Sequence, residues 1–277
     1  MQSHKILRIA SPDPALVNTF SRELGVSKVL AGILANRGLK NINEAKNFLK
    51  VKVEHLLDPY SFPDMHRAVE LIKKAARNKE KVMLFGDYDA DGITSIALLK
   101  TTLRKMGIDA QHYLPHRIKD GYGLTKNIAL LCRQKKIKLL ITADCGIANH
   151  AQVKELRRNN IEVIITDHHE LVSSEIPAAS AILNPKLKNS GYPYRDLAGV
   201  GVAYKLAQAL MGSLCLEDLD LVALGTIADS APLTGENRVI AKEGLLRLSK
   251  TNRLGLKVLI ENAGIQNHKF SSTTVSF

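Results

Sequence analysis

Three carboxylates fall within five residues in the stretch VMLFGDYDADGITSIALL: Asp87, Asp89 and Asp91. An apolar run that reads as a strand leads into them, and Gly92 and a helical segment follow. Like charges this close repel one another unless cations neutralise them, and hard divalent metals such as Mg²⁺ or Mn²⁺ are the natural partners. Gly92 permits a tight turn. Thr94 and Ser95 lie in the first turn of the helix, whose N-terminus favours an anionic ligand. The D-x-D-x-D-G spacing also opens an EF-hand loop, but that loop requires a bidentate Glu at position 12, here Leu98, and follows a helix rather than a strand. Taken alone, the segment also reads as an acidic solvated turn.

Three more segments carry chemistry-bearing groups. Asp144 stands in TADCG after the apolar KLLIT; alone, an Asp at a strand end is often only a helix cap. Asp167, His168 and His169 follow a strand in IITDHHE. Consecutive histidines point different ways, so one can ligate a metal while the other faces substrate; alone, such a pair is as often mere surface. Asp229 sits in the apolar ALGTIADSAPL, where a buried carboxylate is costly unless paired or metal-bound. Together the four segments read as acidic and His groups after successive strands of one parallel sheet, converging on its edge, a pattern that suits a two-metal phosphohydrolase. GxxxxGK[ST], GxGxxG and HExxH do not occur, which argues against nucleotide kinases, dinucleotide dehydrogenases and zincins.

The elements that must position these groups alternate. Apolar runs at Val82–Phe85, Leu139–Thr142 and Ile161–Thr166 predict strands. Ile93–Met106, Leu124–Lys136, Asn149–Asn159 and Gly201–Met211 predict helices. Such alternation implies an α/β fold, a parallel sheet flanked by helices, with ligands at the carboxyl ends of the strands. Residues 1–78 read as a helical N-terminal region, with helices in VSKVLAGILANRGL, from Asn43 to about Phe48–Leu49, and from Met65 to Arg77. The α/β part is expected over 79–235, and 236–277 reads as a helical C-terminal extension (NRVIAKEGLLRLSK, LGLKVLIENAG).

The 277 residues are 45% hydrophobic and 24% charged, ordinary for a globular chain. Three scattered cysteines with no CxxC argue against a disulfide framework or a cysteine zinc ribbon. MQSHKILRIASPDP lacks the apolar core and cleavage site of a signal peptide, and no apolar run approaches a membrane span, so the expected location is cytoplasmic, without a membrane partner. The net charge is +12, and residues 101–160 hold twelve Lys/Arg against four Asp/Glu. Solubility and a polyanionic partner explain that excess equally well. With no Trp and 5% aromatic residues, an extended base-stacking platform is not indicated.

In order along the chain, GDYDADGITS, PHRIKDGYGL, TADCGI, TDHHE, LAGVGVAYKLA, ALGTIADSAPL and GENR resemble the DHH phosphoesterase superfamily, and within it the single-stranded-DNA exonucleases. NRGLKNINEAKNFL is similar to that group's N-terminal region. The resemblance covers nearly the whole chain, and GYGL and GVGVAYKL are not shared by DHH proteins in general. It implies two metals, Mn²⁺ or Mg²⁺, per site. Asp89 would bind the first, Asp144 would bridge both, and Asp91, His168 and Asp229 would complete the second. His169 would contact the scissile phosphate. Superfamily members that place a His four residues before the aspartate at position 89 differ from this chain, which has Phe85; Asp87 or water would serve there instead. Asp167 would orient a histidine. Arg117 and Tyr122 would grip the DNA, with simple loop packing the other reading of Tyr122. Where the family has bulky apolar residues, this chain has Ser230 and Ala231.

The implied activity is hydrolysis of single-stranded DNA, 5′ to 3′, releasing mononucleotides in DNA repair and recombination, with a single-strand-binding protein or helicase as partner. Two rival readings are a DHH enzyme for small substrates (oligoribonucleotide, cyclic dinucleotide or pyrophosphate) and a catalytically weak nucleic-acid-binding fragment. The resemblance also implies a second domain with a GGH motif, and often an OB-fold. No GGH occurs in these residues, and the final HKFSSTTVSF reads as an interrupted segment.

Overall fold

The computed structural model describes residues 10–171, 175–265 and 270–276. Residues 1–9, where part of the N-terminal reading falls, lie outside the described residues, as do 268, 269 and 277 of the tail. The chain divides between Lys52 and Val53 into two compact units.

The first unit holds α1 (Pro14–Leu24), α2 (Lys28–Asn36) and α3 (Ile42–Leu49), packed around Phe20, Ala31, Leu34 and Ala45. Each helix starts on a side-chain cap: Asp13, Ser27 and Asn41 accept amides of Ala15, Leu30 and Glu44. Glu44 in turn accepts the Lys40 amide at 2.8 Å, so the helix begins at Ile42, one residue before the expected start.

The second unit begins its regular α-helical structure with α4 (Met65–Arg77). The helical region expected over 1–78 is therefore shared between the two units. Next come β1 (Lys81–Gly86), α5 (Ala90–Lys105), β2 (Gln111–Tyr113), α6 (Ile128–Gln134), β3 (Ile137–Ala143), α7 (His150–Arg158), β4 (Glu162–Thr166) and β5 (Ala181–Leu183). Among the described residues five further helices follow: α8 (Gly199–Met211), α9 (Leu219–Ala228), α10 (Gly235–Leu248), α11 (Leu254–Asn262) and α12 (Ser272–Ser276). All five strands are parallel, in the order β2-β1-β3-β4-β5. Both sheet faces are covered, so the central strands read as unbroken apolar runs. Val82 and Leu84 of β1 enter the core shared with α4, α5, α8, α9 and α10, while Met83 and Phe85 enter the core shared with α6 and α7. The sheet is thus an α/β layer flanked by helices, as the alternation predicts.

Two strands escape the sequence reading. β2 and β5 have three residues each and lie at the sheet edges, where one ladder replaces two and no long apolar run is needed. Asp64 supports the β5 edge by accepting the Ile182 amide at 2.8 Å. The order places a topological switch between β1 and β3, because β1 is followed on one side by β2 and on the other by β3. Open α/β sheets bind ligands in the crevice at such a point.

Candidate metal centre

Asp87 and Asp144 stand directly beyond β1 and β3, on either side of the switch. Asp89 is the N-cap of α5, and its Oδ1 accepts the Gly92 amide at 2.9 Å. This cap starts the helix at Ala90, three residues before the predicted Ile93. Gly92 itself lies within the helix. A Cβ there would sit 2.4 Å from the Asp87 carbonyl oxygen, so close backbone approach, rather than an unusual turn, requires glycine. Asp91 follows in the first turn of α5 and is buried. Thr94 in the next turn donates to the Ala90 carbonyl at 2.8 Å.

Asp144 adopts a left-handed backbone (φ 62°), uncommon for a residue with a Cβ. Its amide is held by the Thr166 carbonyl at 2.9 Å, which ties the end of β3 to the end of β4. Asp167 is fully buried and acts as a hub. Its Oδ1 accepts the His168 amide at 2.7 Å and His169 Nδ1 at 2.8 Å, while Oδ2 accepts the Ile147 amide at 2.8 Å. Burial alone would raise its pKa, but the His169 hydrogen bond and these amides outweigh burial and hold its carboxyl below the ordinary value. The same bond raises His169 above the usual imidazole value.

The two histidines diverge, their rings tilted by 58°. His168 is buried and turns Nε2 inward, 3.1 Å from Asp144 Oδ1, 3.8 Å from Asp91 Oδ2 and 4.0 Å from Asp229 Oδ2. His169 keeps 42% of its side chain exposed. Asp229 departs from the expected pattern. It does not follow a strand but is the C-cap of α9, and so enters the cluster from a helix end. Its apolar context is the buried face of α9, a run of similar character to a strand. Ser230 after it is left-handed (φ 60°), turning the chain away.

Among the described residues three overlapping groups bring ligand-type atoms within 4.8 Å of one another: Asp87, Asp89 and Asp144; Asp91, His168 and Asp229; and Asp144, His168 and His169. Phe85 is buried in the core shared with α6 and α7 and stacks on Tyr113 at 5.3 Å, while Asp87 lies in one group with Asp89 and Asp144. Crowding without a counter-charge is visible in the acids themselves. Burial, then Asp89, pushes Asp144 up to about 9. Burial, then Asp144, raises Asp91 well above the carboxylate range, and burial raises Asp87 and Asp229. His168 Nε2 and Asp144 Oδ1 are both buried and face each other, yet neither makes a hydrogen bond. Two unsatisfied polar atoms aimed into one space among four carboxylates suit a divalent cation, and the O/N donor set suits Mn²⁺ or Mg²⁺.

Above the cluster, the Tyr122 hydroxyl lies 3.0 Å from His169 Nδ1, so this predicted residue joins the site. Arg117 is exposed and its guanidinium lies 5.5 Å from the centroid of the Tyr88 ring, the residue that follows Asp87 in sequence. Two groups escaped sequence reading. Asn184 donates to the His169 carbonyl at 3.0 Å, and Gly199 packs flat on Asp144. The glycine of GVGVAYKLA is visible in sequence, but nothing local marks its partner.

The model of the DHH family, N-terminal domain, matches residues 81–226, which carry both histidines and every acid of this cluster except Asp229. The chain belongs to the DHH family. This DHH chain is 42% identical over 269 residues to the single-stranded-DNA-specific exonuclease RecJ of Bacillus subtilis (strain 168), covering 97% of the chain and 34% of that relative. The crystal structure of RecJ from Thermus thermophilus in complex with Mn²⁺ superposes with a TM-score of 0.79 at 31% identity, covering 97% of this chain and 38% of that one. The Mg²⁺ complex from the same organism gives 0.65 at 30% identity, over 97% and 35%. The DHH chain thus spans little more than a third of the length of these relatives.

Proposed function

We propose that this chain carries the phosphodiesterase centre of a single-stranded-DNA exonuclease, with Mn²⁺ or Mg²⁺ as cofactor and the chemistry within 79–235. The observation that supports it best is the pair of unsatisfied buried atoms, His168 Nε2 and Asp144 Oδ1, set among converging carboxylates. Asp87, Asp89 and Asp144 would hold one cation, Asp91, His168 and Asp229 the other, and Asp144 would serve both. When bound, the cations supply electrophilic assistance at the phosphate and acidify a water. Asp167 fixes the ring of His169 through Nδ1, and Nε2, 3.4 Å from the Tyr122 hydroxyl on this half-exposed ring, would hydrogen-bond the scissile phosphate and carry a proton. Tyr122 buttresses that ring. Arg117, on its stack with Tyr88, grips the strand, and the basic excess of 101–160 draws it in. On the family resemblance, the reading extends to 5′-to-3′ release of mononucleotides in repair and recombination, in the cytoplasm, with a single-strand-binding protein or a helicase as partner. The remaining parts would be an N-terminal helical region, 1–78, and a helical extension, 236–277. Among the described residues no helix is long and apolar enough to cross a membrane.

The test is digestion of a 5′-labelled single-stranded oligonucleotide with Mn²⁺, Mg²⁺ or EDTA over a salt series. Metal-dependent release of mononucleotides, weakening as salt rises, is the expected result. Cleavage of a dinucleotide or pyrophosphate with none of the long strand would replace this reading by the small-substrate one. No hydrolysis of any of them would leave a nucleic-acid-binding fragment.

A further inference from the structure

Asn149 is the N-cap residue of α7, yet its side chain caps nothing on that helix. An Asn in this position ordinarily accepts an amide of the following turn. Here its Oδ1 accepts the Leu124 amide from another loop, at 3.1 Å. The packing around that bond is close. Gly123 is left-handed (φ 77°), and a Cβ on it would lie 2.7 Å from Asn149 Oδ1 and 3.1 Å from Nδ2. Both backbone conformation and space therefore demand glycine beside the carboxamide. The residue before that glycine is Tyr122, whose hydroxyl reaches His169 Nδ1 at 3.0 Å with the two rings edge to face at 72°.

These contacts close a ring through the site. Tyr122 meets His169, His169 meets Asp167, and Asp167 accepts the Ile147 amide. Two residues later Asn149 holds Leu124, next but one to Tyr122. The Asn149 amide in turn bonds the Gly146 carbonyl at 3.0 Å, so the turn after Asp144 is itself rigid. Cut the Asn149–Leu124 bond and the ring opens: Tyr122 then sits on a loop with no side-chain anchor from the β3–α7 turn. The helix that follows begins at Ile128, after the Leu124 expected from sequence.

We propose that Asn149 is a positioning residue for the reaction: its carboxamide latches the Gly123–Leu124 backbone so that the Tyr122 hydroxyl stays on His169. The inference deepens the phosphodiesterase reading and rests on it. Misplacement of a group near the reacting atoms by about 1 Å costs on the order of a hundredfold in rate. Loss of the latch should therefore act on turnover through Tyr122, with the cations still bound.

The experiment compares the chain with Asn149→Ala, Asn149→Asp, Tyr122→Phe and the double variant Asn149→Ala/Tyr122→Phe. It reads amide-resolved hydrogen exchange, Mn²⁺ stoichiometry and turnover of a short single-stranded oligonucleotide. Asn149→Ala should speed exchange of the Leu124 amide at least about tenfold and lower kcat by about ten- to a hundredfold. Mn²⁺ stoichiometry should be unchanged and KM within about threefold. Asn149→Asp keeps the acceptor oxygen and should restore turnover to within about threefold of the parent. In the Tyr122→Phe background, Asn149→Ala should cost less than about twofold more, because the two act in series. Equal cost in both backgrounds, failure of Asn149→Asp to rescue, or unchanged Leu124 exchange would overturn the proposal. Asn149→Ser, too short to reach the Leu124 amide, takes the place of Asn149→Ala if that variant does not fold. A parent chain that cleaves no oligonucleotide would sink the phosphodiesterase reading instead, and Leu124 exchange alone would then decide whether the latch exists.

Discussion

Asp91 holds the start of α8: its Oδ2 accepts the Gly199 amide at 2.7 Å, and its Oδ1 accepts the neighbouring Val200 amide at the same distance. One carboxylate thus belongs both to the acidic cluster and to the N-terminus of a buried helix, whose dipole favours its negative charge. The bond joins GDYDADG to GVGVAYKLA across 108 residues.

This double role predicts a double phenotype. Asp91→Ala removes a buried cap and leaves two amides without acceptors, and should destabilise the chain by about 1–3 kcal/mol. It should also abolish one of two Mn²⁺ sites. Asp91→Asn keeps one acceptor oxygen and should recover part of the stability but not the metal. Urea unfolding and calorimetric titration separate the two; an Asp91→Ala variant that binds two cations would remove Asp91 from the ligand set.

The two histidines should part company. His168→Ala takes away the nitrogen that faces Asp144, Asp91 and Asp229, so Mn²⁺ content should fall. His169→Ala leaves that nitrogen in place and should lower turnover by roughly a hundredfold or more at nearly full metal content. Equal metal loss in both would show that the pair shares one role.

How much of this could be read from sequence follows from burial. β1, β3 and β4 are covered on both faces, so their apolar runs stand out, and the acids after β1 and β3 with the His pair after β4 were legible with them. β2 and β5 pair on one side only and leave no such run. Asp229 shows the limit of pattern reading: a helix buried all round looks like a strand, and only the fold reveals that α9 delivers the carboxylate from its C-terminus. Asn149 and Gly199 were not legible, because each is defined by a partner distant in sequence. The nearest local cue was an Asn before a helix, which predicts a cap that Asn149 does not make.

Proton release should accompany metal binding. Burial and Asp89 push Asp144 up to about 9, so in the metal-free chain this carboxyl holds its proton at neutral pH. An acid with a raised folded pKa stabilises the fold fully below its unfolded value near 4, and that contribution is lost as pH rises through about 9. The metal-free unfolding midpoint should therefore fall between pH 6 and about 9, while Mn²⁺ binding tightens and its stabilisation grows. Calorimetry at pH 7 in two buffers of different ionisation enthalpy should report about one proton released per chain or more. Binding with no proton release would mean that the acids are already ionised.

Gly199 offers the sharpest test of how tightly the fold supports the cluster. A Cβ on this residue would lie 2.4 Å from Asp144 Oδ1 and 2.6 Å from Asp144 Cβ. Asp144 has little freedom to retreat, since its left-handed backbone is pinned through the Thr166 carbonyl. Helix α8 cannot easily withdraw either, because Asp91 grips its first amides. Against this, alanine in a helix is favoured over glycine by about 1 kcal/mol. Overpacking of this kind costs about 1–3 kcal/mol, so the clash should win. Gly199→Ala should lower stability and weaken Mn²⁺ binding about tenfold or more, since one displaced carboxylate disturbs both cation positions. Gly201→Ala is the control on the same helix: its Cβ would meet the end of the Leu197 side chain at 3.1 Å, a contact that a rotamer change relieves. Mn²⁺ affinity should be unaltered there. If Gly199→Ala bound two cations as tightly as Gly201→Ala, α8 would be free to shift, and the close packing of Gly199 on Asp144 would not govern the metal centre.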